Sequence, residues 1–275
     1  MTHVTHLTDR AILAIAGEDA RDFLQGLITK DVKAIGPGHA AFAALLSPQG
    51  RFLFDFFITE QGGVLLLDTE KARLPDLIKR LTMYRLRSKV TFTETDLQVC
   101  AAWGENAGGT YIDPRLPALG WRSIEQHPSA GAQGDYDAHR LSLAVPDSSK
   151  DLIVDRSILL EYGYDELHAV DFDKGCYVGQ EVTARSKHRA TLRKFIHAVE
   201  AQSPLPPKGT PVMTGAREAG IMASSSGGIG LAHLRVEEVQ RAAKENTPLT
   251  AAGISLSARL PAWCKTAFAE GVAST

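Results

Sequence analysis

Eight consecutive residues, Lys174-Gly175-Cys176-Tyr177-Val178-Gly179-Gln180-Glu181, concentrate more chemistry than any other stretch of the chain. Two glycines bracket a cysteine and an aromatic, and glycine is the default where backbone bends tightly or lies close to something else. A thiol is the strong soft nucleophile among side chains, and a nearby cation such as Lys174 favours its thiolate. Gln180 and Glu181 add an amide and a carboxylate, suited to pairing with a polar heterocycle. The plainer reading of the same residues is a tight turn around a half-buried, inert cysteine. Two further places carry unusual residue types. Asp55 interrupts the apolar run Phe52–Ile58, where a carboxylate is costly unless it is paired, faces a cavity or lies on the wet face of an edge strand. Arg85, Arg87 and Lys89 crowd one short segment, which reads as an anion site or as a solvated basic turn.

The elements that must position these residues follow from periodicity. Residues 10–16 read as a strand, and Ala20, Phe23, Leu24, Leu27 and Ile28 follow the helical spacing, with acidic Glu18 and Asp19 at its start. Two strands over 40–46 and 52–58 flank the turn Ser47-Pro48-Gln49-Gly50. A strand over 64–67 precedes an amphipathic helix marked by Leu74, Leu77, Ile78 and Leu81, and strands recur at 91–93 and 97–103. Tyr136 opens a helix-like segment, and Arg185, Lys187, His188, Arg189, Arg193 and Lys194 form the densest basic run. After the proline-rich 203–207, short strands over 209–213, 220–223, 228–233 and 250–258 fit a small antiparallel barrel. The run Ser224–Gly230 lacks the ending of a P-loop and the spacing of a dinucleotide fingerprint, so it reads as a barrel hairpin.

Composition narrows the classes. The chain has 275 residues, 44% hydrophobic and 23% charged, enough for about two domains with proper cores. A net charge of −2 argues against a dedicated nucleic-acid binder. The three cysteines, at 100, 176 and 264, form no C-x-x-C and cannot all pair, which fits a reducing compartment. The polar opening residues, with His3 and His6, read as a frayed terminus. The run 11–16 is too short for a signal peptide, no run reaches a membrane span, and the chain reads as cytoplasmic.

The string at 174–181 resembles the K-G-C-[YF]-x-G-Q-E signature of the YgfZ family, folate-binding proteins related to the aminomethyltransferase (T-protein) of the glycine cleavage system. Residues 17–32 resemble that family's opening helix, and Tyr84-Arg85-Leu86-Arg87-Ser88-Lys89-Val90 its Y-x-x-R-S-K-V segment; Arg189-Ala190 departs from its usual Arg-Gly. The resemblance implies an α+β fold: a three-part cloverleaf of two ferredoxin-like mixed α/β domains and a C-terminal small antiparallel β-barrel around a central channel. The parts are expected at 1–45 with 115–190, at 46–114 and at 191–275.

The implied function is tetrahydrofolate binding in iron–sulfur cluster assembly or repair, with tRNA modification affected, and Cys176 as a redox-active or cluster-transfer thiol. The implied cofactor contacts are Tyr136, Arg140, Glu161, Lys174, Tyr177, Gln180, Glu181, Arg85 and Arg87. Tyr136 would stack on a pterin, Arg140 bind a carboxylate, Glu161 meet a pterin amine, and Arg85 and Arg87 hold a glutamate tail. The expected partners are iron–sulfur client or assembly proteins and folate, with RNA contact only indirect, no membrane, and a monomeric chain. The rival reading is a folate-dependent aminomethyltransferase, with Asp55 at the position of the relatives' catalytic aspartate.

Overall fold

The computed structural model describes residues 1–126, 135–188 and 192–265, without the side chains of Ser186 and His188. Arg189 and Ala190 therefore lie outside the described residues. The chain divides into two compact units, Met1–Asp135 with Val154–Arg156 and Leu167–Val182, and Tyr136–Ile153 with Ser157–Glu166 and Thr183–Thr275.

Among the described residues, the first unit holds nine strands: β1 (Thr2–His6), β2 (Arg10–Ala16), β3 (Ala40–Leu46), β4 (Phe52–Gln61), β5 (Val64–Glu70), β6 (Thr91–Glu94), β7 (Gln98–Gly104), β8 (Tyr111–Ile112) and β9 (Trp121–Glu125). They form an antiparallel five-stranded sheet, β3-β4-β5-β2-β6, and a four-stranded sheet, β1-β7-β9-β8. Alternation decides which side chain meets which layer. Leu13 and Ile15, Leu65 and Leu67, and Phe54, Phe56 and Ile58 join one core with α1 (Ala20–Gln25) and α2 (Leu74–Arg85), which supply Phe23, Leu24, Leu77 and Leu81. The intervening Ile12 and Leu66 instead join Val99, Tyr111 and Ile124 of the second sheet.

That inter-sheet layer also contains charge. Asp68 is fully buried and accepts hydrogen bonds from Arg10 Nε at 2.7 Å and from Arg122 Nε at 3.1 Å and Nη2 at 2.5 Å. Asp113 receives Arg115 through Nε at 3.0 Å and Nη2 at 2.7 Å. The guanidiniums of Arg122 and Arg115 lie over the Phe57 ring at 4.0 and 4.8 Å from its centroid. Charges are tolerated inside only when paired and hydrogen-bonded; here Arg115 meets both oxygens of Asp113, and Arg10 and Arg122 take one oxygen each of Asp68. Burial pushes the Asp68 carboxyl up, but Arg10 and Arg122 outweigh it and hold the group below its ordinary value.

One expectation is corrected here. The polar opening residues are not frayed: they form β1, paired to β7, with His3 stacked on Trp103 at 5.3 Å. β3 and β4 are hairpin partners, and β7 pairs with β9.

In the second unit, β10 (Lys194–Glu200), β11 (Pro211–Thr214), β12 (Arg217–Ser226), β13 (Ile229–Arg235), β14 (Leu249–Ala251) and β15 (Ile254–Arg259) close into a six-stranded barrel, ordered β10-β13-β12-β11-β14-β15. Closure leaves no unpaired edge. Val199, Val212, Met222, Ala232, Leu234 and Leu256 fill it. Helices α3 (Tyr136–Ser142) and α4 (Ser148–Asp151) precede the barrel, α5 (Gln180–His188) links the units in sequence, and α6 (Val236–Glu245) packs Val239 and Ala242 on the barrel core. Ser224–Gly230 is the β12–β13 hairpin, with Gly227 at φ +57° in its turn. The α+β class and the C-terminal barrel are as the sequence implied.

Candidate functional site: a cysteine on an anchored loop

Cys176 is exposed, whereas Cys100 is buried in β7. Burial pushes the Cys100 thiol up, with Glu125 adding to the effect, which is the profile of an inert packing cysteine. The loop that carries Cys176 is fixed on both sides. On the N-terminal side, Thr29 Oγ1 donates to Ala169 O at 2.7 Å, and Asp171 N donates to Thr29 O at 2.9 Å. The Asp171 carboxylate accepts from Lys30 Nζ at 2.6 Å and from Asp31 N at 2.8 Å.

Lys174 completes this clamp. Its side chain runs inward, and its ammonium donates to the carbonyls of Gln25 at 2.9 Å, Ile28 at 2.7 Å and Lys30 at 2.8 Å. These acceptors lie at and just beyond the end of α1, where carbonyls lack intrahelical partners and a cation is favoured. The same ammonium lies 5.2 Å from the centroid of the buried Tyr177 ring. Burial pushes Lys174 down to about 8, against the opposing pull of Asp31 and Asp171. The sequence cast Lys174 as a cofactor contact and as the cation that activates the thiol. The structure shows its ammonium committed to three backbone oxygens, so its role is to hold the loop.

On the C-terminal side, Gly179 adopts φ +84°, and a Cβ there would come within 2.6 Å of Ser47 O and 2.9 Å of Leu46 Cβ. Only glycine allows both that conformation and that approach. Gly50, in the facing turn, would in the same way strike Val182 at 2.8 Å. Gln180 N then donates to Tyr177 O at 3.2 Å as α5 begins. Gln180 is half-buried and Glu181 exposed. A cleft of about 320 Å³, lined by Asp31, Val170, Asp171, Phe172, Asp173 and Lys174, runs along the stem of the loop.

The other expected residues fall as follows. Asp55 is buried in β4 opposite Ala44, on the strand face that carries Phe57 two residues on, and its charge acts on Arg10. Arg85, the last residue of α2, and Arg87, on the turn after it, are exposed, and the cleft they line contains neither Asp55 nor Cys176. In the second unit, Tyr136 opens α3 half-exposed, 6.2 Å from the His139 ring. Glu161 places Oε2 3.2 Å from His233 Nε2, and His233 stacks on Tyr162 at 4.7 Å.

Arg140 is the clearest departure. It is 1% exposed, and its guanidinium donates to Asp137 at 2.5 Å, Val145 O at 3.1 Å, Asp151 at 3.3 Å and Ser224 Oγ at 3.0 Å. It ties α3 and α4 to the barrel, and four of its five N–H groups are taken, so it is not an open receptor for a ligand carboxylate. Sequence reasoning missed the anchoring residues Thr29 and Asp171, and the buried ion layer of Asp68, Arg122 and Asp113. A charged residue inside an apolar strand, as at Asp68, was the available signal.

Comparison with known proteins adds the following. A family model described as the CAF17 C-terminal beta-barrel domain matches residues 193–266. An iron-sulfur cluster assembly factor IBA57, mitochondrial, from Mus musculus is 32% identical, over 95% of this chain and 85% of the relative. Its Homo sapiens counterpart is 30% identical over 94% and 85%, and a Mycosarcoma maydis homologue 33% identical over 84% and 73%. A solved structure, the glycine cleavage system aminomethyltransferase T from Bartonella henselae, superposes with a TM-score of 0.72 over 96% of this chain and 87% of that one. At 12% identity that likeness shows the fold alone. The cytoplasmic expectation is corrected: the relatives are named as mitochondrial proteins, which points to mitochondria rather than cytoplasm. Cysteine spacing and the lack of a long apolar run report on redox environment and membrane spanning, and neither encodes an organelle. No helix among the described residues is long and apolar enough to cross a membrane.

Proposed function

The chain belongs to the IBA57 family of iron–sulfur cluster assembly factors, and we propose that it acts in cluster assembly or repair through the Cys176 thiol, with tetrahydrofolate or a derivative as ligand. The observation that carries this reading is the exposed Cys176 on a loop clamped by Lys174 and Asp171 on one side and Gly179 on the other. A fixed, accessible thiol loses little conformational freedom when it meets a partner. As thiolate it is a soft donor to iron or an attacking group in disulfide exchange. A cluster takes four protein ligands, so Cys176 alone does not hold one. The cluster is cargo shared with an assembly or client protein that supplies the remaining ligands. Any effect on tRNA modification then runs through client enzymes, without RNA contact by this chain.

Folate rests on the likeness of fold and on the signature motif. Two of the residues expected to hold it do not fit that task, because Arg140 and Lys174 have their donors already engaged. Arg85 and Arg87 line a cleft that does not include Cys176 and are set aside as folate contacts, so Tyr136, Glu161, Tyr177, Gln180 and Glu181 remain the contacts to test. The rival aminomethyltransferase reading gains nothing at Asp55, whose place beside the Arg10 charge already accounts for a carboxylate there.

The test is Cys176→Ser in cells lacking the native chain. The variant is expected to melt like wild type, since the thiol is exposed, yet to leave an iron–sulfur enzyme inactive. Full restoration of that enzyme by the serine variant removes the thiol from the function. Fluorescence titration with tetrahydrofolate, expected to saturate equally in wild type and variant, tests the ligand separately.

A further inference from the structure

The segment that ends α2 has no part in the reading above, and its geometry is costly in two ways at one residue. Leu86 has φ +42° and ψ −108°, and Ser88 N donates to Arg85 O at 2.7 Å. This is the first central position of a type II′ turn, which glycine normally occupies because a Cβ is disfavoured there. The leucine is also 89% exposed, and Met83, on the preceding turn of the helix, is 64% exposed. Strain and exposed apolar surface are both unfavourable for folding, so neither explains the choice of leucine.

The surroundings are strongly basic. Residues 77–93 contain Lys79, Arg80, Arg85, Arg87 and Lys89 and no acidic residue, in a chain whose net charge is −2. Lys89 is neutralised, its ammonium 2.7 Å from Glu18 and its backbone N–H 2.7 Å from Asp19. The guanidiniums of Arg85 and Arg87 are exposed and make no ion pair or hydrogen bond among the described residues. Both line an open cleft of about 520 Å³ formed with Gly17, Glu18 and residues 86–91. Its floor is rigid: Gly17, at φ +124°, lies so close to Lys89 that an added Cβ would meet Lys89 O at 2.0 Å.

We infer that this turn is a docking site for an acidic segment of a partner protein, with Leu86 and Met83 as apolar contacts and Arg85 and Arg87 as the charged ones. The occupant is a protein rather than RNA, because the exposed apolar groups are aliphatic and offer no stacking platform. It is a protein rather than an anionic membrane, because Arg85 and Arg87 line a cleft with Leu86, which suits a chain segment better than a flat lipid surface, and the nearby Glu18 and Asp19 are already engaged by Lys89. This surface is independent of the Cys176 reading, and either stands if the other fails.

The test uses the full chain and three probes: a fluorescent peptide of interspersed glutamate and leucine, single-stranded oligouridylate, and vesicles of phosphatidylserine with phosphatidylcholine. The peptide is expected to bind, and Arg85→Glu with Arg87→Glu to weaken it at least tenfold while tetrahydrofolate binding stays as in wild type. Leu86→Gly is expected to raise the melting temperature, by relieving the turn, and to weaken the peptide severalfold. That pairing of gain and loss is not expected of a purely structural leucine. Tighter binding of RNA or vesicles than of peptide overturns the assignment. So does peptide binding that survives the double charge reversal, or loss of tetrahydrofolate binding in that double variant.

Discussion

Replacing Lys174 by methionine removes the ammonium while keeping an unbranched apolar side chain in its place. In wild type three backbone carbonyls accept from that ammonium at 2.7–2.9 Å. Leaving a buried acceptor unpaired costs roughly 1–3 kcal/mol, so three cost roughly 3–9 kcal/mol. Against this, the variant no longer buries a charge. Burial lowers the Lys174 pKa from 10.5 to about 8. At about 1.4 kcal/mol per unit, that relief is worth about 3 kcal/mol. The expected net loss is about 3 kcal/mol near neutral pH, read from urea denaturation followed by tryptophan fluorescence.

The pH dependence tests the reasoning more sharply. The unfolded chain keeps its lysine proton up to 10.5, while the folded chain releases it near 8. Between those values the unfolded state holds more protons, so wild type gains stability as pH rises through the window. Methionine has nothing to titrate. The gap between the two proteins therefore widens above pH 8, by about 2 kcal/mol at about pH 9.5. A gap that narrows there shows that the three carbonyls hold the ammonium more strongly than burial disfavours it. No loss of stability at neutral pH refutes the anchoring role altogether.

Three further outcomes follow from the same geometry. Gly179→Ala, at φ +84° and with a Cβ 2.6 Å from Ser47 O, is expected to cost about 2 kcal/mol or more and to broaden the amide signals of 174–181 in NMR spectra. Arg140→Leu leaves the buried Asp151 carboxylate without its cation and is expected to cost about 3–5 kcal/mol in chemical denaturation, with tetrahydrofolate affinity unchanged if the guanidinium serves structure alone. Asp68→Asn removes a carboxyl that Arg10 and Arg122 hold below 3.8. The wild-type contribution of Asp68 is complete above that value and is lost as pH falls through the folded-state pKa, so an acid titration of stability should be shallower in the variant.

Local rules carried much of this fold. Apolar runs located the strands around Ile12, Phe56 and Leu65, and the turn residues Ser47–Gly50 marked the β3–β4 hairpin correctly. What escaped was set by partners distant in sequence. The helical period of the opening segment ran on to Ile28, but α1 stops at Gln25, and the carbonyls left over are satisfied by Lys174, about 150 positions away. Arg140 read as a ligand-binding arginine on the family resemblance alone; its acceptors Asp151 and Ser224 come from α4 and β12. The expected strand at 64–67 stopped one residue short of Asp68, hiding the residue that joins two arginines between the sheets. The opening residues looked too polar to order, yet β7 supplies a complete backbone ladder for them.

The same non-locality changes how the signature motif is understood. From sequence, Lys174 and Cys176 are neighbours, and a cation two residues from a thiol reads as its activator. In the fold the lysine runs inward to α1 and the cysteine remains at the surface. The ammonium donates to three carbonyls and lies over the Tyr177 ring, so every contact it makes is on the inward side of the loop. Under the proposed function, Cys176 contributes access and fixed position, which suits a thiol that meets a metal or disulfide brought by a partner better than one that attacks a small substrate unaided. Slower alkylation of Cys176 in Lys174→Met, with the amide signals of 174–181 unchanged, would return the lysine to the role its spacing first suggested.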